Sequence, residues 1–244
     1  MRYTELLPHP VLSDYIDTYW TLTHDYGAMK TQHILPDGCI DIIFNLGADC
    51  TTDHGQFLIK SEKVYLVGTM TTFNSATVAA GTNLLGIRFK PAAFQNFYQY
   101  CSLHEITDQT LELDKAFCPN LYQTAKKSTA YLNHFFAGEL SPRKDNITHL
   151  VADLQTHQGR ISVRDLAKKH FMSERQLERR FKQQIGIHPK TFISIVRNQA
   201  ALNAIKHRDV NSSLLEIALH YGYYDHAHLS KEIKKFTGQP PSLV

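Results

Sequence analysis

The sequence predicts an α+β chain in two parts: a small antiparallel β-barrel followed by helices, then an all-α unit built on two helix-turn-helix motifs. Three observations carry this. Short runs rich in β-branched and aromatic residues, broken by turn residues, fill residues 12–90. A duplicated pattern of helix signals fills residues 162–241. Charge also divides between the parts. Residues 1–140 hold 9 Lys/Arg against 14 Asp/Glu (net −5), and residues 141–244 hold 17 against 9 (net +8).

A chain of 244 residues makes one large domain or two ordinary ones, and 43% hydrophobic with 20% charged residues describes an ordered globular protein. No apolar run approaches 18 residues, and the opening MRYTELLPHP lacks the charged-then-apolar pattern of a secretion signal. A cytoplasmic location without membrane contact is therefore expected. Cys39, Cys50, Cys101 and Cys118 stand far apart without a C-x-x-C pair, so reduced thiols are expected, with no zinc or redox site and no cofactor.

The strand-like runs are YIDTYWTLT, CIDIIFNL, QFLIK, KVYLVGTM, ATVAA and LLGIRF. Pro36-Asp37-Gly38 signals a turn, and Gly47, Gly68, Gly81 and Gly86 punctuate the rest. Together they predict a mostly antiparallel small barrel, cupin-like in outline. Such a barrel can hold a small molecule among its aromatic residues. Trp20, His33 and Arg88 are the candidate ligand-binding residues, with Phe44 and Tyr65 beside them; each also has a plain reading as core or rim. His24, His33 and His54 lack ligand spacing for a metal, and no nucleophile–base or paired-carboxylate arrangement is evident, so no catalytic residue is assigned. After the barrel, PAAFQNFYQY predicts a helix starting at Pro91. NLYQTAKKSTAYLNHFFAGEL predicts a longer one, with Leu121, Ala125, Tyr131, Leu132, Phe135 and Phe136 on an apolar stripe. That stripe packs on its own barrel or on a second copy. GELSPRKDN (138–146) is the expected linker, which divides the chain into residues 1–140 and 141–244.

The basic part repeats itself. SVRDLAKKHFMSERQLERRFKQQIGIHP and SLLEIALHYGYYDHAHLSKEIKKFTGQPP align Ser162, Leu166 and Ala167 with Ser213, Ile217 and Ala218. One extra residue near Tyr224 shifts the register. Leu177, Phe181, Lys182, Gly186 and Pro189 then align with Leu229, Ile233, Lys234, Gly238 and Pro241. Each copy reads as a short helix, a turn and a longer helix (about 162–186 and 213–238). Ser162, Ser173, Ser213 and Asp225 are the expected N-caps, and Gly186 and Gly238 the expected stops. Phe192, Ile195, Val196, Ala200 and Ile205 predict one joining helix, about 191–206. Sixteen residues span about 24 Å, a rod that can hold two recognition helices roughly one DNA turn apart. A charged outer face on SERQLERRFKQQIGIHP alone would describe most surface helices. Duplication, spacer and charge together point to a polyanion, and nucleic acid leads among polyanions.

These residues resemble the AraC/XylS-type transcription regulators over about 100 residues, most specifically in LLEIALHYGYYDHAHLSKEIKKFTGQPP and RRFKQQIGIHPKTF. ILPDGCIDIIFNLG and LLGIRFKPAAFQNF are similar to the sensor-side domains of some of these regulators. Leu229 and Ile233 stand where an aromatic is usual, Lys231 replaces a usual Arg, and the chain ends PSLV without the common Tyr-Arg. The resemblance implies a non-enzymatic, sequence-specific regulator that places two helices in successive major grooves of double-stranded DNA. It implies a sensor or dimerisation domain at 1–140 for a small-molecule effector, and a DNA-binding domain at 141–244. A homodimer and RNA polymerase are further partners it admits. Arg175, Glu178 and Arg179 fall at base-reading positions, with Ser173, Glu174 and Lys182 beside them on the DNA side. In the second unit His226, His228 and Lys231 face the groove, Lys234 or Lys235 meets phosphate, and Ser230 is exposed on the same DNA-binding helix. Glu178 either accepts from cytosine or holds Arg175 or Lys182 in place. Two other classes compete: an enzyme fused to the DNA-binding module, as in repair-type proteins, and a protein-interaction module without a ligand.

Overall fold

A computed structural model describes residues 1–98, 102–208 and 213–244. Its first part holds two antiparallel sheets. The larger runs in the order β1 (Arg2–Leu6), β2 (Ile16–His24), β9 (Thr82–Phe89), β4 (Ile40–Asn45), β7 (Val64–Val67) and β10 (Thr110–Glu112). The smaller runs β3 (Lys30–Ile34), β8 (Asn74–Val78), β5 (Cys50–Thr52) and β6 (Phe57–Ile59). This corrects the closed barrel expected from sequence: among the described residues no ladder joins the two sheets. The physical reason lies at one edge of each sheet, where β6 and β10 are three residues each and too short to carry hydrogen bonding around a ring.

The pleat of the larger sheet sorts its side chains to two sides. Ile40, Ile42, Phe44, Leu85, Ile87 and Phe89 join one core, which α1 (Leu121–Glu139) covers with Leu132 and Phe136. Trp20, Leu22, Tyr65 and Leu84 face the smaller sheet. Trp20 lies opposite Gly86, where any Cβ would collide with the indole ring, so the glycine lets the indole lie against the strand. Pro91 does not start a helix as expected. Ala92 takes φ +66°, which breaks helical geometry, and only a 3-10 turn at Phe94–Asn96 forms. The end of that expected helix, and Cys101, lie outside the described residues. The expected linker is partly helical and partly docked: α1 runs to Glu139, and buried Asn96 binds the main chain of Ser141 and Arg143 at 2.8 and 2.9 Å.

The second part is helical: α2 (Thr148–Thr156), α3 (Val163–Lys169), α4 (Glu174–Gln184), α5 (Pro189–Lys206), α6 (Leu214–His220) and α7 (His226–Thr237). One core unites Leu166, Leu177 and Phe181 of the first copy with Ile217, Leu229 and Ile233 of the second, through Phe192, Ile195 and Ile205 of α5. Ala167 and Ala218 are buried where each short helix meets its longer partner. The joining helix begins two residues earlier than the periodicity indicates, because Pro189 is preorganised for the first helical position. Tyr223 donates to Asn198 at 2.6 Å in the interior, which pins the second turn to α5.

The two turns put different residues at their left-handed position. Gly222 takes φ +76°, whereas Phe171, at the aligned position, takes φ +52° and is 99% exposed. A left-handed phenylalanine stores strain and here recovers no packing. Phe171→Gly is expected to raise unfolding stability by about 0.5–1 kcal/mol, net of the entropy glycine adds to the unfolded chain. An unchanged or lower urea midpoint would mean that the phenyl ring is held by contacts of its own.

Candidate nucleic-acid interface and sensor cavity

Both longer helices are fixed at their N-termini by side-chain caps. Ser173 Oγ accepts from Gln176 N at 3.2 Å, and the Gln176 side chain returns to Ser173 N at 2.9 Å. Asp225 accepts from His228 N at 2.7 Å. Leu177 and Phe181 turn inward from α4, as do Leu229 and Ile233 from α7, which leaves the opposite faces to solvent. Glu174, Arg175, Glu178 and Arg179 are exposed on α4, and Lys182 is half-buried. Among the described residues none of these five is in an ion pair, so Glu178 holds neither Arg175 nor Lys182 here. On α7, His226, His228, Lys231, Lys234 and Lys235 are exposed. Ser230 donates to His226 O at 2.7 Å and is engaged with its own helix. His228 Nδ1 accepts from Tyr224 N at 3.3 Å, which assigns the ring proton to Nε2.

A cavity of about 180 Å³ lies between the two sheets. Trp20 and Arg88 line it from the larger sheet, with Tyr3, Asp41 and Ile43; Ile34, Cys50, Asn74, Ala76 and Val78 close it from the smaller. His33 is not among the lining residues. Its neighbours Gln32 and Ile34 are, and alternation along β3 turns the imidazole away. Phe44 packs in the core under α1, and Tyr65 beside Phe57. Sequence reading missed Asp41, although the register pairs it with Arg88 across β4 and β9. Arg88 Nε lies 3.5 Å from carboxylate oxygens of both Asp41 and Asp37. Burial pushes Asp41 up to about 6 despite the opposing pull of Arg88. Burial would lower the Arg88 value, but Asp41 and Asp37 outweigh it and keep the guanidinium charged.

Residues 166–244 match the family model described as "Helix-turn-helix domain", and residues 4–112 match "Domain of unknown function (DUF6597)". An uncharacterized HTH-type transcriptional regulator of Haemophilus influenzae is 37% identical over 95 residues, 39% of this chain and 31% of that protein. The HTH-type transcriptional regulator MtrA of Neisseria gonorrhoeae is 38% identical over 64 residues, 26% of this chain and 21% of MtrA. Both matches thus span less than a third of the relative's length. Residues 166–244 are therefore a helix-turn-helix domain, similar to those of HTH-type transcriptional regulators. The whole chain is also similar in fold to ToxT from Vibrio cholerae, with a TM-score of 0.52 at 13% identity over 92% of this chain and 97% of ToxT. Another ToxT structure, bound to (E)-4-(8-methylnaphthalen-1-yl)but-3-enoic acid, gives 0.50 at 13% identity over 92% of this chain and 97% of that one.

The β-rich part grips the helix-turn-helix domain at the far ends of both longer helices. Past the end of α4, Ile185 O accepts from Thr69 Oγ1 at 2.5 Å, and Gly186 O from Thr107 Oγ1 at 2.8 Å, with His104 Nδ1 at 2.9 Å from the same oxygen. At the end of α7, His33 Nδ1 lies 3.3 Å from Thr237 O, and Phe73 packs so closely on Gly238 that a Cβ there would lie 2.7 Å from the ring. Along α5, Gln199 donates to Pro36 O at 3.0 Å, and the Phe192 ring fills the space where a Cβ on Gly38 would stand. The grip answers the unpaired carbonyls that every helix leaves at its C-terminus. The N-terminal halves, with the exposed arginines and histidines, stay free. His33 therefore sits at this joint, and Thr69, Thr107 and His104 carry no sequence motif that would have marked them.

Proposed function

We propose that the chain is a sequence-specific, double-stranded-DNA-binding transcription regulator of the AraC/XylS type, with one longer helix of each copy in successive major grooves. The observation that carries this is the pairing of two capped helices whose basic faces are exposed at the ends that read bases. They share one core with α5, whose 18 residues give a rod of about 27 Å. Residues 1–140 form the sensor or dimerisation domain and 141–244 the DNA-binding domain. Control comes from a small molecule held between the sheets, a reading supported by the cavity and by the ligand-bound ToxT of similar fold. The cavity-lining residues Ile34, Met70 and Asn74 adjoin the joint residues His33, Thr69 and Phe73, so a ligand there would press on the grip. The proposed activity is recognition, not catalysis. No helix among the described residues is long and apolar enough to cross a membrane, and the reading places the chain in the cytoplasm. A second copy and RNA polymerase are the further partners it admits.

Selection from randomised duplexes at about 0.15 M salt tests the reading, because affinity without stated salt carries no meaning. A motif with two contact blocks one turn apart is expected. Salt-sensitive binding without any enriched sequence would overturn it.

A further inference from the structure

The cavity between the sheets has a sign as well as a size. A cavity of about 150 Å³ lined by aliphatic and aromatic residues accepts benzene, so 180 Å³ suits a compact molecule with one ring, not a long chain. Its walls are mostly apolar: Trp20, Leu22, Ile34, Ile43, Val78 and Leu84. The charged groups gather at one place. Arg88 faces Asp41 and Asp37, so one guanidinium is shared by two carboxylates. Tyr3, on the same rim, donates to a further carboxylate, Glu5, at 2.7 Å. Asp41 takes one hydrogen bond from the Trp20 indole at 2.7 Å, and a carboxylate has about four acceptor positions. An incoming anion would meet two carboxylates against one guanidinium, an excess of negative charge that outweighs the one Arg88 Nε donor left without a hydrogen bond. An incoming donor would find an acceptor with lone pairs to spare at the end of an apolar slot.

We infer that this cavity binds a compact single-ring molecule bearing an amine or hydroxyl donor, with the donor on Asp41, and discriminates against carboxylic acids. The inference rests on the regulator reading, whose effector it specifies. Arg88 then acts as a brace that holds Asp41 in place, not as the ligand's partner.

Trp20 is the chain's one tryptophan and lines the cavity, so its fluorescence reports occupancy directly. The test titrates the full chain at pH 7.5 with 2-phenylethylamine, 2-phenylethanol and phenylacetate, followed by fluorescence and calorimetry. Saturable binding of the amine and the alcohol is expected, with phenylacetate at least tenfold weaker. Asp41→Asn should weaken the amine at least tenfold. Ala76→Leu, which fills the cavity without touching the charges, should abolish all binding and guards against misfolding of the first variant. Phenylacetate binding as tightly as the amine, and losing affinity in Arg88→Gln, would overturn the inference in favour of an anion site. Failure of all three probes would also overturn it; a two-block motif from DNA selection would then leave the regulator reading standing, and absence of that motif would remove both.

Discussion

Arg179→Ala is expected to weaken binding to the selected DNA site by roughly 5- to 150-fold, the equivalent of one bidentate arginine–guanine contact at about 1–3 kcal/mol. Binding to random duplex should fall far less, because there the side chain meets only phosphate. The expectation follows from position. Arg179 is exposed on α4, on the face away from buried Leu177 and Phe181, and no carboxylate ties it down among the described residues. Lys235→Ala, at the C-terminal end of α7, should instead weaken all sequences alike and reduce the salt slope by about 1. Equal losses on both DNAs for Arg179→Ala would assign it to the backbone, and the base-reading role would fall.

Gly186→Ala is expected to lower unfolding stability by about 2–4 kcal/mol, since left-handed strain adds to a steric clash. Gly186 takes φ +98° at the end of the first unit, and a Cβ there would lie 2.8 Å from both Leu103 O and Thr107 Oγ1. Gly222→Ala is the internal control. It has a similar φ of +76° in the second unit, with nothing within 4 Å of the added methyl. It should therefore cost only the conformational part, about 1 kcal/mol. Equal losses in the two variants, measured by urea unfolding, would show that the joint yields and that the β-rich part does not hold the first unit rigidly.

The helical half is legible because its signals are local. The 3.6-residue apolar spacing, the four N-caps and the two stop glycines each act within a few residues, and all four caps bond as their sequence suggests. α2 escaped because Ile147 stands at its N-cap and makes no side-chain cap bond, and its nine residues are too few for a clear period. The sheets are harder to read. β1 and β3 are largely exposed and polar, and they exist because β2 and β8 offer them partners, which no local pattern records. The same holds for the cavity. Trp20 and Arg88 stand out by residue type, but Asp41 becomes a site residue only through the register that sets it beside Arg88. The joint was invisible for a further reason: threonines and histidines that meet carbonyls 79 to 204 residues away carry no periodicity at all.

The grip on Ile185, Gly186 and Thr237 has a consequence for the shape of the operator. Two protein teeth fastened only to a shared rod could swivel to follow a stretched target. Here the same sandwich holds both at their roots, so the spacing between them behaves like the jaws of a fixed gauge. One base pair inserted between the two contact blocks would carry the second about 3.4 Å along the duplex and roughly 34–36° around it. A gauge of this kind does not follow such a change. On the proposed reading it would measure DNA length as strictly as its side chains read DNA letters.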